Sequence, residues 1–368
     1  MDRRAVILTV LFGYLFTDML LRHMPLDWRY VLVVVIVGAG AYLVAWKRAA
    51  WPIPMKSALT IYLLGMWITA ALSVSVELSA YQFLLTAIYV LTYIVVLGLA
   101  RVWMKNIFLD GLRNASWVLI VAVAFITLYS ATTGGALRPP AANVLAALFN
   151  LLLLPTLADF FVERPGNARV AWFLAALALV FITASRGGWL GLTAGLLVLA
   201  TRRWERLSDY WSRVRPFFFP TVVALVAFAA VWQIASDGHS TRRDFWTMAA
   251  AITIRYPYTG SGPGTFNLFW SQLYPPPFWQ AMHAHSIIFN TAAEQGLLGL
   301  LTLAVMAVAL LRAAWRDDGL LAAVVAFGVH NLVDSLDKAP AVMIVLAVLL
   351  GSRLAQHEFV AEAHPATV

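Results

Sequence analysis

The sequence contains no cysteine, and few of its 368 residues are charged. Without cysteine the chain cannot form a disulfide, an iron–sulfur cluster or a thiolate metal site. Charged residues make up 12% of the sequence, whereas an average soluble domain has about 25%. The 26 basic and 18 acidic side chains are too few to cover a soluble protein of this size. These shortages argue against a soluble single-domain enzyme, a disordered chain and a nucleic-acid-binding protein.

Apolar residues are abundant instead. They make up 62% of the chain, and the mean hydropathy is +0.79. Runs of about 20 apolar residues recur from end to end, which is typical of a membrane protein with several spans. Backbone polar groups in lipid must bond within the segment, so the spans are expected to be helices. The sequence therefore predicts an all-α polytopic fold of about 12 transmembrane helices, near residues 5–21, 30–46, 57–76, 80–100, 115–132, 140–161, 169–184, 187–200, 217–235, 286–311, 319–334 and 340–354. The seventh and eighth are short and adjacent, and are either two half-spans or one broken element.

The distribution of Lys and Arg predicts the orientation. With the N-terminus inside, eighteen of the 26 basic residues fall in inner segments and eight in outer ones. This bias follows the positive-inside rule and places both ends in the cytoplasm. It also accounts for the net charge of +8 without nucleic acid as a partner. Residues Ala5–Leu21 lack a small-residue cleavage site, so we interpret them as a retained first span.

The predicted spans and the long connection after the ninth span divide the chain into four regions. They are N-terminal spans at 1–138, further spans at 139–235, an outer loop at 236–285, and C-terminal spans with a short tail at 286–368. Connections of this length tend to be functional. Within the loop, Thr241–Tyr256 has the periodicity of an amphipathic helix, and Pro257 is expected to end it. A turn-rich stretch at Thr259–Gly264 and three prolines at Pro275–Pro277 follow.

Polar residues at the outer ends of spans need an explanation, because a charge near mid-bilayer costs roughly 2.5–3.5 kcal/mol on insertion scales. Arg186 either snorkels to the interface or grips an anion, since a guanidinium donates two parallel hydrogen bonds to phosphate oxygens. Arg242 and Arg243 lie outside, against the positive-inside bias. Arg255 is interpreted as a cation favoured by the helix dipole. The candidates for an outer site are therefore Arg186, Arg242, Arg243, His283, His285, Glu294, His330, Asp334, Asp337 and Lys338.

His285 is a candidate general base or a simple capping residue. His283 is two positions away, which does not place both on one helix face, and no carboxylate is near in sequence, so no metal site is predicted. Glu294 is expected to pair structurally with an arginine of another span. Asp334 and His330 form an i, i+4 pair, either as a packing lock or as a wall of the outer cavity. No H-E-x-x-H, D-x-D or G-x-S-x-G motif is present.

Four stretches resemble motifs of the O-antigen ligase and polymerase family. Thr183–Gly191 is similar to its S-R-G-x-W/L-x-G segment, and Ala142–Ala146 to its N-x-x-A segment. The outer loop, with Thr241–Trp246 and Tyr256–Phe266, resembles R-x-x-x-W followed by P-x-x-G-x-G-P-G-x-F. Ala284–Gly299 resembles H-N/S-x-x-L/F followed by A-E-x-G-x-x-G. The motifs occur in order over about residues 140–338.

The resemblance implies metal-free glycosyl transfer on the periplasmic side of the bacterial inner membrane, with no cofactor. The implied donor is a glycan on undecaprenyl diphosphate, with Arg186 and Arg242 binding the diphosphate and His285 as the essential histidine. Arg242 stands four residues before Trp246, as the R-x-x-x-W motif requires, so it is preferred. Arg243 is the alternative diphosphate-binding residue. Asn143, Glu294 and Asp334 are expected to support the site.

The acceptor is less defined by the motifs. It is lipid A–core in the ligase branch, another lipid-linked glycan in the polymerase branch and a protein hydroxyl in a third. Ser286 stands where an asparagine is common in ligases, so this position does not identify the branch. Between the branches we favour the ligase. A flippase or transporter for lipid-linked sugar is the competing class, but it would show midplane charges and two related halves.

Overall fold

The computed structural model describes residues 53–102, 107–132, 141–163, 165–203, 241–273 and 282–363. Within these ranges the chain is all-helical and contains no strand. A short 3-10 turn, Leu336–Lys338, precedes the last helix. The α-helices are α1 Lys56–Ala71, α2 Val76–Val102, α3 Ile107–Thr132, α4 Ala142–Phe160, α5 Asn167–Ile182, α6 Arg186–Arg202, α7 Thr241–Arg255, α8 Phe266–Leu273, α9 Ile287–Ala314, α10 Asp318–Leu332 and α11 Pro340–Ala363.

Four of these helices are long and apolar enough to cross a membrane. They are α2, α3, α4 and α9, and three shorter apolar helices occupy α5, α10 and the first part of α11. All seven coincide with predicted spans, and α1 and α6 coincide with two more. The predicted spans at 5–21, 30–46 and 217–235 lie outside the described residues. The helical membrane fold is therefore supported, whereas the count of twelve spans stays a prediction.

The seventh and eighth predicted spans are two separate helices that run in opposite directions. The rings of Phe160 and Phe173 lie 5.5 Å apart at the end of α4, and Ser185, which follows α5, donates to Asn143 at the start of α4, so α5 runs back along α4. The chain then turns at Thr183–Ser185, and the indole of Trp189 donates to the carbonyl of Val180 across the turn. The two elements form a helical hairpin, not one broken helix.

Helix α6 lies in a groove between α4 and α10 because its inner face is made of glycine. A methyl group on Gly195 would lie 2.9 Å from the carbonyl oxygen of Ala322, and one on Gly191 would lie 2.6 Å from that of Ala326. Small residues at such an interface let helix backbones approach closely. The order of these contacts shows that α6 is antiparallel to α10, so the start of α6 meets the end of α10.

Ion pairs gather at the opposite end of the bundle. Arg353 of α11 binds Asp159 of α4 at 2.8 Å, and Arg113 of α3 approaches the same carboxylate at 3.6 Å. Arg203 binds Asp318 at 2.6 Å at the junction of α6 and α10. The distribution of Lys and Arg predicts inner segments for all three arginines, and they do share one end of the bundle. The side of the membrane that this end faces stays a prediction.

The amphipathic helix expected in the outer loop is α7, and it ends at Arg255, one residue before Tyr256. Its apolar face, which includes Phe245, Ala249 and Ile252, is buried. This face packs in a small separate core with Phe266 and Trp270 of α8. Ala284 and Ala293, on either side of the start of α9, complete that core. The loop is thereby held against the first turns of α9.

Candidate functional site

The imidazole of His285 and the carboxylate of Asp334 form a hydrogen-bonded pair. Nδ1 of His285 lies 3.0 Å from Oδ1 of Asp334. His285 precedes α9 with a left-handed φ of 51°, a conformation that non-glycine residues adopt only when the surroundings fix it. Asp334 follows the end of α10 at Leu332 and also accepts a hydrogen bond from the Ser335 N–H at 2.9 Å.

This pairing corrects the expected i, i+4 partnership between Asp334 and His330. Helix α10 ends before Asp334, so the carboxylate leaves the helical face that His330 occupies. His330 is buried, and neither of its ring nitrogens has a hydrogen-bond partner within the described part of the chain. The alternative expectation, that Asp334 forms a wall of the outer cavity, agrees with its position.

The environment of the pair determines its proton arrangement. Burial alone would raise the pKa of Asp334, but the hydrogen bond and charge of His285 and the Ser335 N–H outweigh burial and lower that pKa. An ionised carboxylate only accepts hydrogen bonds, so Nδ1 of His285 is the donor. Neutral His285 then carries its lone pair on Nε2, the nitrogen that can take a proton.

Two rings hold the imidazole from the sides. The ring of Phe245 stacks on His285 with centroids 5.2 Å apart, and His283 meets it edge-on at 4.4 Å. Burial, followed by the charge of His285, lowers the pKa of His283 to about 4. His283 is therefore neutral at physiological pH. Phe245 belongs to the apolar face of α7, which explains how the outer loop reaches the histidine.

A buried polar chain fixes the backbone that carries His285. The side-chain oxygen of Asn290 accepts from the Ala284 N–H at 3.1 Å, and its amide donates to Glu294 at 3.0 Å. Glu294 in turn binds Nζ of Lys338 at 2.8 Å and accepts from the Phe266 N–H at 3.2 Å. The expected partner of Glu294 was an arginine, and the fold supplies a lysine instead. A structural role for Glu294 stays a prediction that these contacts favour.

Lys338 is charged in this environment. Burial would lower the pKa of Lys338, but Glu294 and Asp337 outweigh burial and raise that pKa. The pKa of Asp337 is raised as well, chiefly because burial disfavours its charged form. Lys338 is therefore the stable cation of this cluster, and Glu294 is its direct counter-ion.

The glycine-rich loop is docked into a break in α9. Gly296 has a φ of 62° inside the helix, and the break exposes backbone groups on both sides. The Gly262 N–H donates to the Glu294 carbonyl at 2.7 Å, while the Leu297 N–H donates to the Pro257 carbonyl at 2.9 Å. The two motifs, G-x-G-P-G and A-E-x-G, thus complement each other. The prolines at 275–277 lie outside the described residues.

The S-R-G-G segment is anchored to α4 at the end of the bundle where α10 ends. The hydroxyl of Ser185 accepts from the Gly188 N–H at 3.1 Å and caps α6. It also donates to the side-chain oxygen of Asn143 at 2.8 Å, and Asn150 donates to the Gly188 carbonyl at 2.7 Å. Arg186 is the first residue of α6, directly after this cap.

The start of α6 lies beside the end of α10. A methyl group placed on Gly187 would meet the ring of His330 and a methyl of Val333. Arg186 and Asp334 therefore emerge at the same end of the bundle, on neighbouring elements. The structure brings Arg186, Asn143, His285 and Asp334 to one end of the bundle, and their roles there stay predictions.

The two arginines of α7 differ in their surroundings. Arg242 precedes Phe245 by three residues, so it shares the helix face whose ring covers His285. It is half-buried, whereas Arg243 is exposed. This geometry favours Arg242 over Arg243 as the residue directed toward the site.

A cavity of about 460 Å³ opens beside the pair. Its walls come from the start of α4, the segment before α9 and the segment between α10 and α11, and they carry Asn143, His283, His285, Asp334 and Lys338. The ligand atoms of His283, His285 and Asp334 all lie within 4.8 Å of one another. The sequence offered no third ligand near the two histidines, but the fold provides one.

The comparison with protein families agrees with the motifs. A family model described as O-Antigen ligase matches residues 171–304, a little over a third of the chain. This match supports assigning the chain to the O-antigen ligase/polymerase family. No curated protein matches the chain.

The matched segment contains only part of the site. Arg186, Arg242, His285 and Glu294 lie within it, whereas Asp334 lies beyond its end. The match supports a membrane glycosyltransferase of the O-antigen ligase or polymerase type in general. Sequence reasoning did not assign a role to Asn290 or to Lys338 as the partner of Glu294. Asn290 stands four residues before Glu294, which places both side chains on one helix face. This spacing could have revealed the hydrogen bond between them.

Proposed function

We propose that this protein is an inverting, metal-independent glycosyltransferase of the O-antigen ligase type. It moves a glycan from undecaprenyl diphosphate to a hydroxyl of lipid A–core at the periplasmic face of the inner membrane. The observation that carries the proposal is the His285–Asp334 pair in a polar cavity at the end of the bundle where Arg186 emerges. The family match supplies the class of substrate.

In this proposal His285 is the general base. Its Nε2 takes the proton of the acceptor hydroxyl as the oxygen attacks the anomeric carbon of the donor. The bond between that carbon and the diphosphate oxygen breaks, and the electron pair leaves with undecaprenyl diphosphate. A single displacement of this kind inverts the anomeric centre. Asp334 orients the imidazole and stabilises the positive charge that it gains.

Arg186 and Arg242 stabilise the leaving group. A polyprenyl diphosphate gains negative charge as the glycosidic bond breaks, and cations aimed at it lower the barrier. Guanidinium groups bind phosphate oxygens through paired hydrogen bonds and stay charged at any physiological pH. Two arginines can therefore perform the task that a metal ion performs in other glycosyltransferases.

The apolar and polar parts of the molecule suit a lipid-linked donor. The site lies where apolar helices end, so a polyprenyl chain can remain in the membrane while its diphosphate meets the arginines. In the proposal the glycan then extends under the docked loop. The hydrogen bond from the Gly262 N–H to the Glu294 carbonyl of α9 holds this part of the loop in place.

Reconstitution with both classes of acceptor tests the proposal. Purified protein in liposomes is incubated with lipid-linked repeat units, with and without lipid A–core. Transfer that requires core supports the ligase, whereas ladders formed without core would make the protein a polymerase. Activity should persist in EDTA, and a loss that a divalent ion restores would contradict the metal-independent mechanism. Movement of the lipid-linked glycan across the bilayer with no transfer product would instead support a flippase.

A further inference from the structure

We propose that His283, His285 and Asp334 form an inhibitory site for Zn²⁺ or a similar divalent transition-metal ion. The inference rests on the proposed function only in its consequence for activity, because binding of the ion is measured separately. The three side chains come from two segments of the chain, before α9 and after α10, and they line one cavity. Their ligand atoms lie within 4.8 Å of one another.

The donor set matches the coordination chemistry of zinc. Two imidazoles and one carboxylate are a frequent protein ligand set for this ion, with a further position left to water. Nδ1 of His285 and Oδ1 of Asp334 are 3.0 Å apart, somewhat less than the roughly 3.3–3.6 Å between two ligands that lie about 2.0–2.2 Å from one tetrahedral ion. The pair must open slightly, and His283 must adjust its ring, for all three ligand atoms to reach one ion.

His283 provides an independent indication of a ligand. Its Nδ1 is buried and has no hydrogen-bond partner within the ranges that the structure describes. A buried polar atom without a partner is costly and calls for an explanation. The ring is held edge-on to His285 at 4.4 Å, so an ion that engages one imidazole is within reach of the other.

The local charge permits a cation. Lys338 lines the same cavity, but its ammonium group is bound to Glu294 at 2.8 Å. Asp334 contributes a negative charge directly at the site. Arg242, on the neighbouring helix α7, is a further positive charge on this side of the bundle. Imidazole nitrogens favour Zn²⁺ over Mg²⁺, which prefers oxygen ligands in an octahedral arrangement.

Occupation of the site would stop the proposed transfer. An ion on Nε2 of His285 would occupy the lone pair that accepts the proton. An ion on Nδ1 would instead displace the hydrogen bond to Asp334 that orients the ring. In either case the base is lost, so the ion acts as an inhibitor and not as a cofactor.

Direct zinc binding separates this inference from the proposed function. Tag-free protein in detergent is titrated with Zn²⁺ against a chromophoric chelator, and Mg²⁺ serves as the control ion. The His283→Gln variant should bind Zn²⁺ at least about tenfold more weakly, because loss of even an outer-shell partner costs about 10–100-fold. The His357→Gln variant, near the end of α11, is the matched control and should bind like the wild type.

Inhibition of transfer is measured relative to the metal-free activity of each variant. The zinc concentration for half-inhibition should rise at least about tenfold in His283→Gln, in step with its weaker binding. Absence of zinc binding, or equal binding by wild type and His283→Gln, would overturn the inference. Zinc binding that depends on His283 in a protein without transfer activity would leave the metal site in place and overturn the proposed function alone.

Discussion

Oδ1 of Asp334 lies 3.0 Å from Nδ1 of His285, although 49 residues separate the two in the chain. This relationship joins the segment before α9 to the segment after α10. It orients the imidazole and assigns its lone pair to Nε2. The pair is the central element of the proposed site.

Substitution of either member should slow transfer. His285→Ala removes the base, and we expect a decrease of about 10²–10⁴ in rate, the usual contribution of general base catalysis. Asp334→Asn keeps the shape of the side chain but loses the charge, so a decrease of at least about tenfold is expected. Rates are measured with lipid-linked donor at equal amounts of folded protein. Wild-type rates in both variants would rule out His285 as the base.

The adjacent arginines of α7 form a matched pair. Arg242→Gln should lower transfer at least about tenfold, because it removes a charge-assisted contact to the diphosphate. Arg243→Gln removes the same charge from an exposed position one residue away and should retain most of the activity. Both variants are compared for donor KM and kcat. Equal losses would indicate a general effect of positive charge, and a larger loss for Arg243→Gln would reverse the assignment.

The Glu294–Lys338 pair predicts a stability effect with a rescue. Glu294→Gln leaves the ammonium group of Lys338 buried without its counter-ion, which typically costs about 3–5 kcal/mol. The double variant Glu294→Gln, Lys338→Met removes both charges and should recover much of the lost stability. Thermal unfolding in detergent measures both variants. If the double variant is no more stable than the single one, the pair is not the source of the effect.

The local parts of the site could be predicted from the sequence. The positions of Phe245, Ala249 and Ile252 follow the helical period, and Pro257 marks the end of the pattern, so α7 was placed to within one residue. Arg186 and His285 were found because charges are scarce in an apolar chain. Such signals depend on neighbours in sequence or on composition, and both are readable without a structure.

The partners of these residues could not be predicted in the same way. Asp334 was paired with His330 because they are four residues apart, but α10 ends at Leu332 and the carboxylate turns toward another segment. Glu294 binds Lys338 across 44 residues. Contacts of this kind arise from how helices pack, and a single sequence carries no local pattern for them.

The break in α9 predicts a position-specific glycine effect. Gly296→Ala imposes a side chain on a φ of 62° and places a methyl group 2.6 Å from the Gly260 nitrogen. The docked loop should be displaced, with loss of stability and of transfer. Gly328→Ala in α10 is the control, because no atom lies within 4 Å of the added methyl group. It should be neutral or stabilising by up to about 1 kcal/mol, measured by thermal unfolding.

The absence of native cysteine makes the orientation directly testable. Thr247 is an exposed position on α7, at the predicted outer end, and Thr201 is exposed near the end of α6, at the predicted inner end. In intact spheroplasts a membrane-impermeant maleimide should label Thr247→Cys, because α7 belongs to the outer loop. Thr201→Cys should react only after the inner membrane is permeabilised. The reverse pattern would place His285 and the arginines on the cytoplasmic side and exclude a periplasmic acceptor.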